Sequence, residues 1–87
     1  MEVDFDPNKD ARNRAEHGLS LADAAEFDLT NAVIEIDGRK DYGEVRYRAF
    51  GRMAGKAHCL VFTIGEYTVR AISFRRAHEK ELRRYER

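Results

Sequence analysis

Ala57-His58-Cys59-Leu60-Val61-Phe62-Thr63-Ile64 is the stretch that decides the fold. It is nearly all apolar, as a central strand covered on both faces must be. At its apolar longest, Cys59 to Ile64, it is far too short to span a bilayer. Gly65-Glu66 after it reads as a tight two-residue turn, and Tyr67 to Phe74 as the strand that returns. On the near side, Val45, Tyr47 and Ala49 alternate with Glu44, Arg46 and Arg48, giving a strand over 44–50. Gly51 to Gly55 then reads as the turn of a second hairpin.

Working back toward the N-terminus, Ala32, Ile34 and Ile36 alternate with Val33, Glu35 and Asp37, which predicts a strand. Asp37 to Gly43 is a polar loop with two glycines. Val3 and Phe5 alternate with acids as a short first strand. Asp6 is placed as an N-cap, with Pro7 as the first residue of a helix that runs to His17 and stops at Gly18. Ser20 and Asp23 resemble a capping box, opening a second helix over about 21–28. Ala77 to Tyr85 reads as a basic terminal helix. The order β-α-α-β-β-β-β-α predicts an α+β fold, an antiparallel sheet with the N-terminal helices on one face.

The chain has 87 residues, room for a single domain over 1–87. Its 16 Lys+Arg and 16 Asp+Glu cancel. The cancellation hides an asymmetry, because residues 1–41 sum to −6 and residues 42–87 to +6. Such a split points to a polyanion-binding region, or to opposite charges that simply pair in the fold. The single Cys59 excludes an intrachain disulfide and suits a reducing cytoplasm. Met1 to Asp6 carries three acids and no apolar run, so no signal peptide is expected there.

The densest chemistry lies in Arg70-Ala71-Ile72-Ser73-Phe74-Arg75-Arg76-Ala77-His78. Arg75 and Arg76, set at a strand-to-helix junction, are expected to reach one groove and fork onto a phosphate. Arg46 and Arg48 extend that patch from a neighbouring strand, and Arg83, Arg84 and Arg87 from the last helix. Lys9, Asn13 and His17 are four residues apart and share a helix face. Glu81 and Tyr85 do the same on the last helix. Cleaving RNA requires deprotonating a 2′-OH, protonating a 5′-oxygen and neutralising the phosphorane between them. Lys9, His17, His78, Glu81 and Tyr85 are the proton-transfer candidates, and the arginines the electrostatic ones. His17, His58 and His78 have no metal-ligand spacing, so no metal and no cofactor is expected. His58 and Cys59, inside the central strand, read as packed residues.

Three ordered motifs then resemble one family. They are Phe5-Asp6-Pro7 with Lys9, Asn13 and His17-Gly18; Tyr42-Gly43-Glu44 with Arg46 and Gly51-Arg52; and Arg70, Ile72-Ser73, Arg75-Arg76-Ala77, Glu81 and Tyr85. Together they resemble the BrnT toxins, RelE-like ribonucleases of bacterial type II toxin–antitoxin systems. The resemblance implies a RelE-like sheet on two N-terminal helices with a short C-terminal helix. It implies cytoplasmic cleavage of mRNA, free or on the ribosome. It also implies a BrnA-type ribbon-helix-helix antitoxin, with operator DNA bound only through that antitoxin and no membrane partner. It marks Lys9, Arg70, Arg75, Arg76 and Glu81 as catalytic positions, with Arg46 and Tyr85 as secondary candidates. With the reading of the residues themselves, His17, Arg46, His78, Arg84 and Tyr85 are expected to contact RNA. Two other classes stay open: a non-enzymatic RNA- or protein-binding module, and a toxin of the ParE kind that poisons gyrase.

Overall fold

In the computed structural model, which describes residues 2–86, the apolar stretch becomes the middle of a five-stranded sheet. The strands are β1 (Val3–Asp4), β2 (Val33–Ile36), β3 (Tyr47–Met53), β4 (Lys56–Ile64) and β5 (Val69–Arg76), in the spatial order β1-β5-β4-β3-β2. Residues 57–62 of β4 are all buried, as a strand covered on both faces requires. The sheet is mixed rather than antiparallel, because β1 pairs with β5 in parallel. Three successive antiparallel pairings set β2 opposite to β5, so β1, parallel to β5, also runs opposite to β2, and the helices between them begin and end at the same end of the sheet.

Helix α1 (Pro7–His17) begins and ends as its capping residues dictate. The Asp6 carboxylate accepts the Asn8 N–H at 2.8 Å. Gly18, at φ 73°, donates to the Arg14 carbonyl. The second helix is a 3₁₀ helix, Leu21–Glu26, shorter than the helix expected over 21–28. Its capping box forms, but at Phe27 the backbone turns extended so that the ring can enter the core against Phe74. The Asp10 carboxylate accepts from the Ser20 hydroxyl and the Leu21 N–H, at 2.9 and 2.7 Å, and lashes the two helices together.

Turn positions differ from expectation in two places. Gly51 lies inside β3, where a Cβ would meet Ala32 Cβ at 2.9 Å and Phe27 Cζ at 3.0 Å. Glycine is there for close approach, and the turn itself is Ala54-Gly55, both at positive φ. The β4–β5 connection spans residues 65–68, closed by Gly65 N–H donating to the Thr68 carbonyl at 2.8 Å. β5 therefore starts at Val69 rather than Tyr67, and β3 at Tyr47 rather than Glu44.

The sheet's two faces are covered differently. Leu21, Ala24, Phe27, Ala49, Leu60, Phe62, Ala71 and Phe74 form the core on the face under the 3₁₀ helix. On the opposite face, Phe50, Ala57, Cys59, Ala77 and Leu82 pack under α2 (Glu79–Arg83), with Tyr85 stacked on Phe50. Arg52 ties this end down, bonding Glu79 and Glu86 each at 2.9 Å. The terminal helix is five residues long, not the nine of Ala77–Tyr85, because Ala77 still pairs with the Ala57 carbonyl and His78 is the N-cap. The signal-peptide reading involves Met1, and the patch reading Arg87; both residues lie outside those described.

Candidate active site

Because α2 covers only one end of its face, the rest of that face is an open groove. The floor comes from alternate residues of the central strands: Arg48 on β3, Cys59 and Val61 on β4, and Ser73 and Arg75 on β5. A register slip lets Val61 face Ser73 while Phe62 faces Ala71, so Ile72 has no partner and bulges into the groove with Ser73. This bulge also breaks the strict alternation of a regular strand, which would put Ile72 and Phe74 on one face.

The bulge and the pleat decide which arginines meet. Arg75 and Arg76 both belong to β5, opposite Cys59 and His58. Successive residues of a strand point to opposite faces, so the expected pair does not reach one groove. Arg75 lines the groove and Arg76 does not. Arg70 lies at the other end of β5, about 16 Å along the strand, where Asp4 on β1 accepts its Nη1 at 2.5 Å.

From α2 to α1 the groove is a row of three hollows, the first two sharing Arg48 and the last two sharing Arg46, Ile72 and Ser73. At the α2 end it is lined by Arg48, Phe50, Glu81, Arg84 and Tyr85. Its middle, a cavity of about 260 Å³, adds Arg75, His17 and the β2–β3 loop. Beyond Arg46 and Ile72 it reaches Lys9, Arg12 and Glu16 on α1. Lys9, His17, Arg46, Arg75, Glu81, Arg84 and Tyr85 thus share one surface. His78 lines none of it; its backbone N–H caps Glu81 at 2.8 Å.

Helix α1 is fixed along the groove by Asn13, which is buried. Its side-chain amide donates to the Phe74 carbonyl at 2.9 Å and accepts the Phe74 N–H at 3.0 Å. The amide thereby takes the place of a neighbouring strand on the free edge of β5.

The guanidiniums of Arg75 and Arg48 are each held by a carboxylate. Arg75 donates to Glu81 through Nη2 at 3.1 Å and Nη1 at 3.3 Å. That pairing, with the His78 N–H, lowers the Glu81 pKa to about 2. Arg48 donates to Glu35 at 2.5 Å, while its buried Nε has no acceptor among the described residues. Burial pushes the Cys59 thiol above its ordinary range despite Arg75 and Arg48 nearby, so it is no thiolate nucleophile. His58 is buried, stacked on Phe74, with Nδ1 2.7 Å from the Lys56 carbonyl oxygen.

The β2–β3 loop contributes residues that the sequence reading left in a polar loop. The Asp37 carboxylate is wholly inaccessible and takes both Nε and Nη2 of Arg39 at 2.8 Å. It also accepts the Tyr42 hydroxyl at 3.2 Å. Arg39 holds the Asp37 carboxyl far below the usual carboxylate range. The Arg46 guanidinium lies 4.1 Å from the Tyr42 ring centroid. Tyr42 is visible in sequence only as part of the second family motif, which assigns it no role, while Arg46 belongs to that motif and to the arginine patch; Asp37 and Arg39 carry no signal there. Among the described residues, no group of three or more His, Cys, Asp and Glu side chains is placed to hold a metal ion, and no helix is long and apolar enough to cross a membrane.

No curated protein matches the chain. Among solved structures it is similar to the ribonuclease toxin BrnT of Brucella abortus, at 30% identity and a TM-score of 0.68, covering 90% of this chain and 97% of that one. The family described as "ribonuclease toxin, BrnT, of type II toxin-antitoxin system" matches residues 5–81, a span that takes in the groove from Lys9 to Glu81. The chain belongs to the BrnT family, the ribonuclease toxins of type II toxin–antitoxin systems.

Proposed function

We propose that the chain is a metal-independent endoribonuclease whose groove binds single-stranded RNA and whose chemistry lies between Arg48 and Arg75. The observation that carries this is the placement of two guanidiniums on one face of the sheet, both lining the same groove. Their side chains stay partly exposed, 26% for Arg48 and 34% for Arg75, so a phosphate oxygen can reach the N–H donors left open to the groove. In the reaction the 2′-oxygen attacks the adjacent phosphorus, the bond to the 5′-oxygen breaks, and a 2′,3′-cyclic phosphate remains. Arg48 and Arg75 neutralise the charge that builds on the phosphorane. Glu81, ionised down to a pH of about 2, is a weak proton acceptor, and its part is to aim Arg75. His17, which lines the groove, carries the proton, and Lys9, Arg46, Arg84 and Tyr85 contact the flanking RNA.

Membership of the family supports the remaining reading: one RelE-like toxin unit over 1–87, acting in the cytoplasm on mRNA, free or on the ribosome. A BrnA-type ribbon-helix-helix antitoxin covers the groove and carries the complex to operator DNA. The test is incubation of the purified chain with RNA in EDTA. Cleavage to cyclic-phosphate ends is expected, with at least a 100-fold loss in Arg75→Ala at unchanged circular dichroism. Full cleavage by that variant would overturn the site. An inactive wild type that inhibits gyrase would overturn the ribonuclease reading.

A further inference from the structure

The loop that walls the groove is held far more firmly than its exposed, glycine-containing sequence requires. One buried carboxylate, Asp37, accepts two guanidinium bonds from Arg39, the Arg39 backbone N–H at 3.2 Å and the Tyr42 hydroxyl at 3.2 Å. The base of the loop is closed by Asp37 N–H donating to the Arg46 carbonyl at 2.8 Å. The result is a fixed layered pair, the Tyr42 ring with the Arg46 guanidinium 4.1 Å from its centre. The pair adjoins an apolar floor of Val61 and Ile72 and the two guanidiniums that face the middle of the groove. Rigid aromatic and guanidinium planes beside phosphate-binding cations are how proteins grip the unstacked bases of single-stranded RNA.

We propose that Tyr42 and Arg46 form a nucleobase subsite, stacking the base of a nucleotide that flanks the phosphate held by Arg48 and Arg75, with Asp37 as the positioning residue. The proposal rests on the groove being an RNA site and adds where a base sits in it. Stacking on a π-face is tolerant of base identity, so the subsite contributes grip before sequence preference. Lys40, whose Nζ is 5.2 Å from the Tyr42 centroid, is an exposed flexible side chain that gives way to the base.

The chain has no Trp, so Tyr42→Trp places a single reporter in the subsite. Its fluorescence is expected to be quenched saturably by a short 2′-O-methyl RNA, which lacks the nucleophilic hydroxyl and cannot be cut. The same strand made abasic is expected to leave it unquenched. No quenching by the intact strand, or equal quenching by the abasic one, overturns the subsite. In cleavage assays Tyr42→Leu is expected to raise KM for RNA about 10- to 100-fold, with kcat within twofold. Tyr42→Phe, which keeps the ring and loses the Asp37 bond, is expected to retain most of the wild-type KM. An unchanged KM in a folded Tyr42→Leu variant overturns the proposal. If Tyr42→Leu does not fold, the fluorescence titration decides. A wild type that cuts no RNA, alongside a Tyr42→Trp variant that is quenched, removes the ribonuclease reading and leaves the base subsite standing.

Discussion

The two faces of the sheet are built from the same strands and do opposite work. Under the 3₁₀ helix, alternate residues of β3, β4 and β5 close over one another as a dry core, with Phe74 fully buried between Phe27 and His58. On the other face, the residues between them in sequence are Arg48, Ser73 and Arg75, each open to the groove. Phe74 and Arg75 are adjacent in the chain and belong to different enterprises, one to folding and one to function. The pleat of β5 separates them, so stability and activity are expected to respond to different substitutions one residue apart.

The most damaging way to break that contrast is Phe74→Ala. The ring stacks on His58 at 5.2 Å and meets Phe27 edge-on at 5.7 Å, and no solvent reaches it. Removing it is expected to cost about 3–5 kcal/mol, a large share of the roughly 5–15 kcal/mol that holds a domain together. Urea unfolding measures this. Arg75→Ala, by contrast, is expected to cost only about 1 kcal/mol, through its lost bond with Glu81, while removing cleavage. Comparable destabilisation by the two variants would mean that the faces are not separable.

This division explains what was legible in the sequence. The central strand and the caps at Asp6, Gly18 and Ser20 were readable because each depends on local pattern, whereas the last helix was read too long at both ends. The parallel β1–β5 pair was not, since nothing near Val3 says which strand it will meet. Gly51 looked like a turn because its reason lies in Ala32 and Phe27, distant in sequence. The site was half legible. Helical spacing placed Lys9 and His17 together, and the resemblance marked Arg75 and Glu81. Strand length was the weak point: ending β5 at Phe74 put Arg75 and Arg76 at a junction, where both seemed free to turn inward. The charge split was partly real, for the late strands and last helix supply Arg46, Arg48, Arg75 and Arg84. Yet Lys9, Arg12 and Arg39 join them from the acidic half, and Glu35 and Asp4 cross over to pair with Arg48 and Arg70.

A smaller effect sharpens the comparison through pH. Glu81 titrates at about 2 in the fold, below its ordinary 4.5, chiefly because Arg75 bonds its carboxylate. A lowered carboxylate pKa contributes stability that is fully present above pH 4.5 and lost as the pH falls toward 2. The pair is partly solvent-screened, so Glu81→Gln is expected to cost about 1 kcal/mol at pH 6. That gap from wild type should close between pH 4.5 and about 2. Asp10, Asp37 and Glu79 are lowered as well, and they titrate in both proteins, so the difference between the two unfolding curves reports Glu81. A gap that persists unchanged at pH 2 would show that Glu81 acts through packing and not through its charge on Arg75.

The smallest effect is the most discriminating. Arg76 differs from Arg75 by one position and shares its chemistry, its strand and its place in the family motif. Only the pleat distinguishes them, sending Arg75 to the groove and Arg76 to the other face, where it is exposed and makes no ion pair with another described residue. Arg76→Ala is therefore expected to change stability by less than about 0.5 kcal/mol and to cleave RNA within threefold of wild type. Arg75→Ala in the same assay should be inactive. If both alanine variants lost cleavage equally, the groove would not be the whole of the catalytic surface, and RNA would have to wrap around the end of β5 to reach both faces.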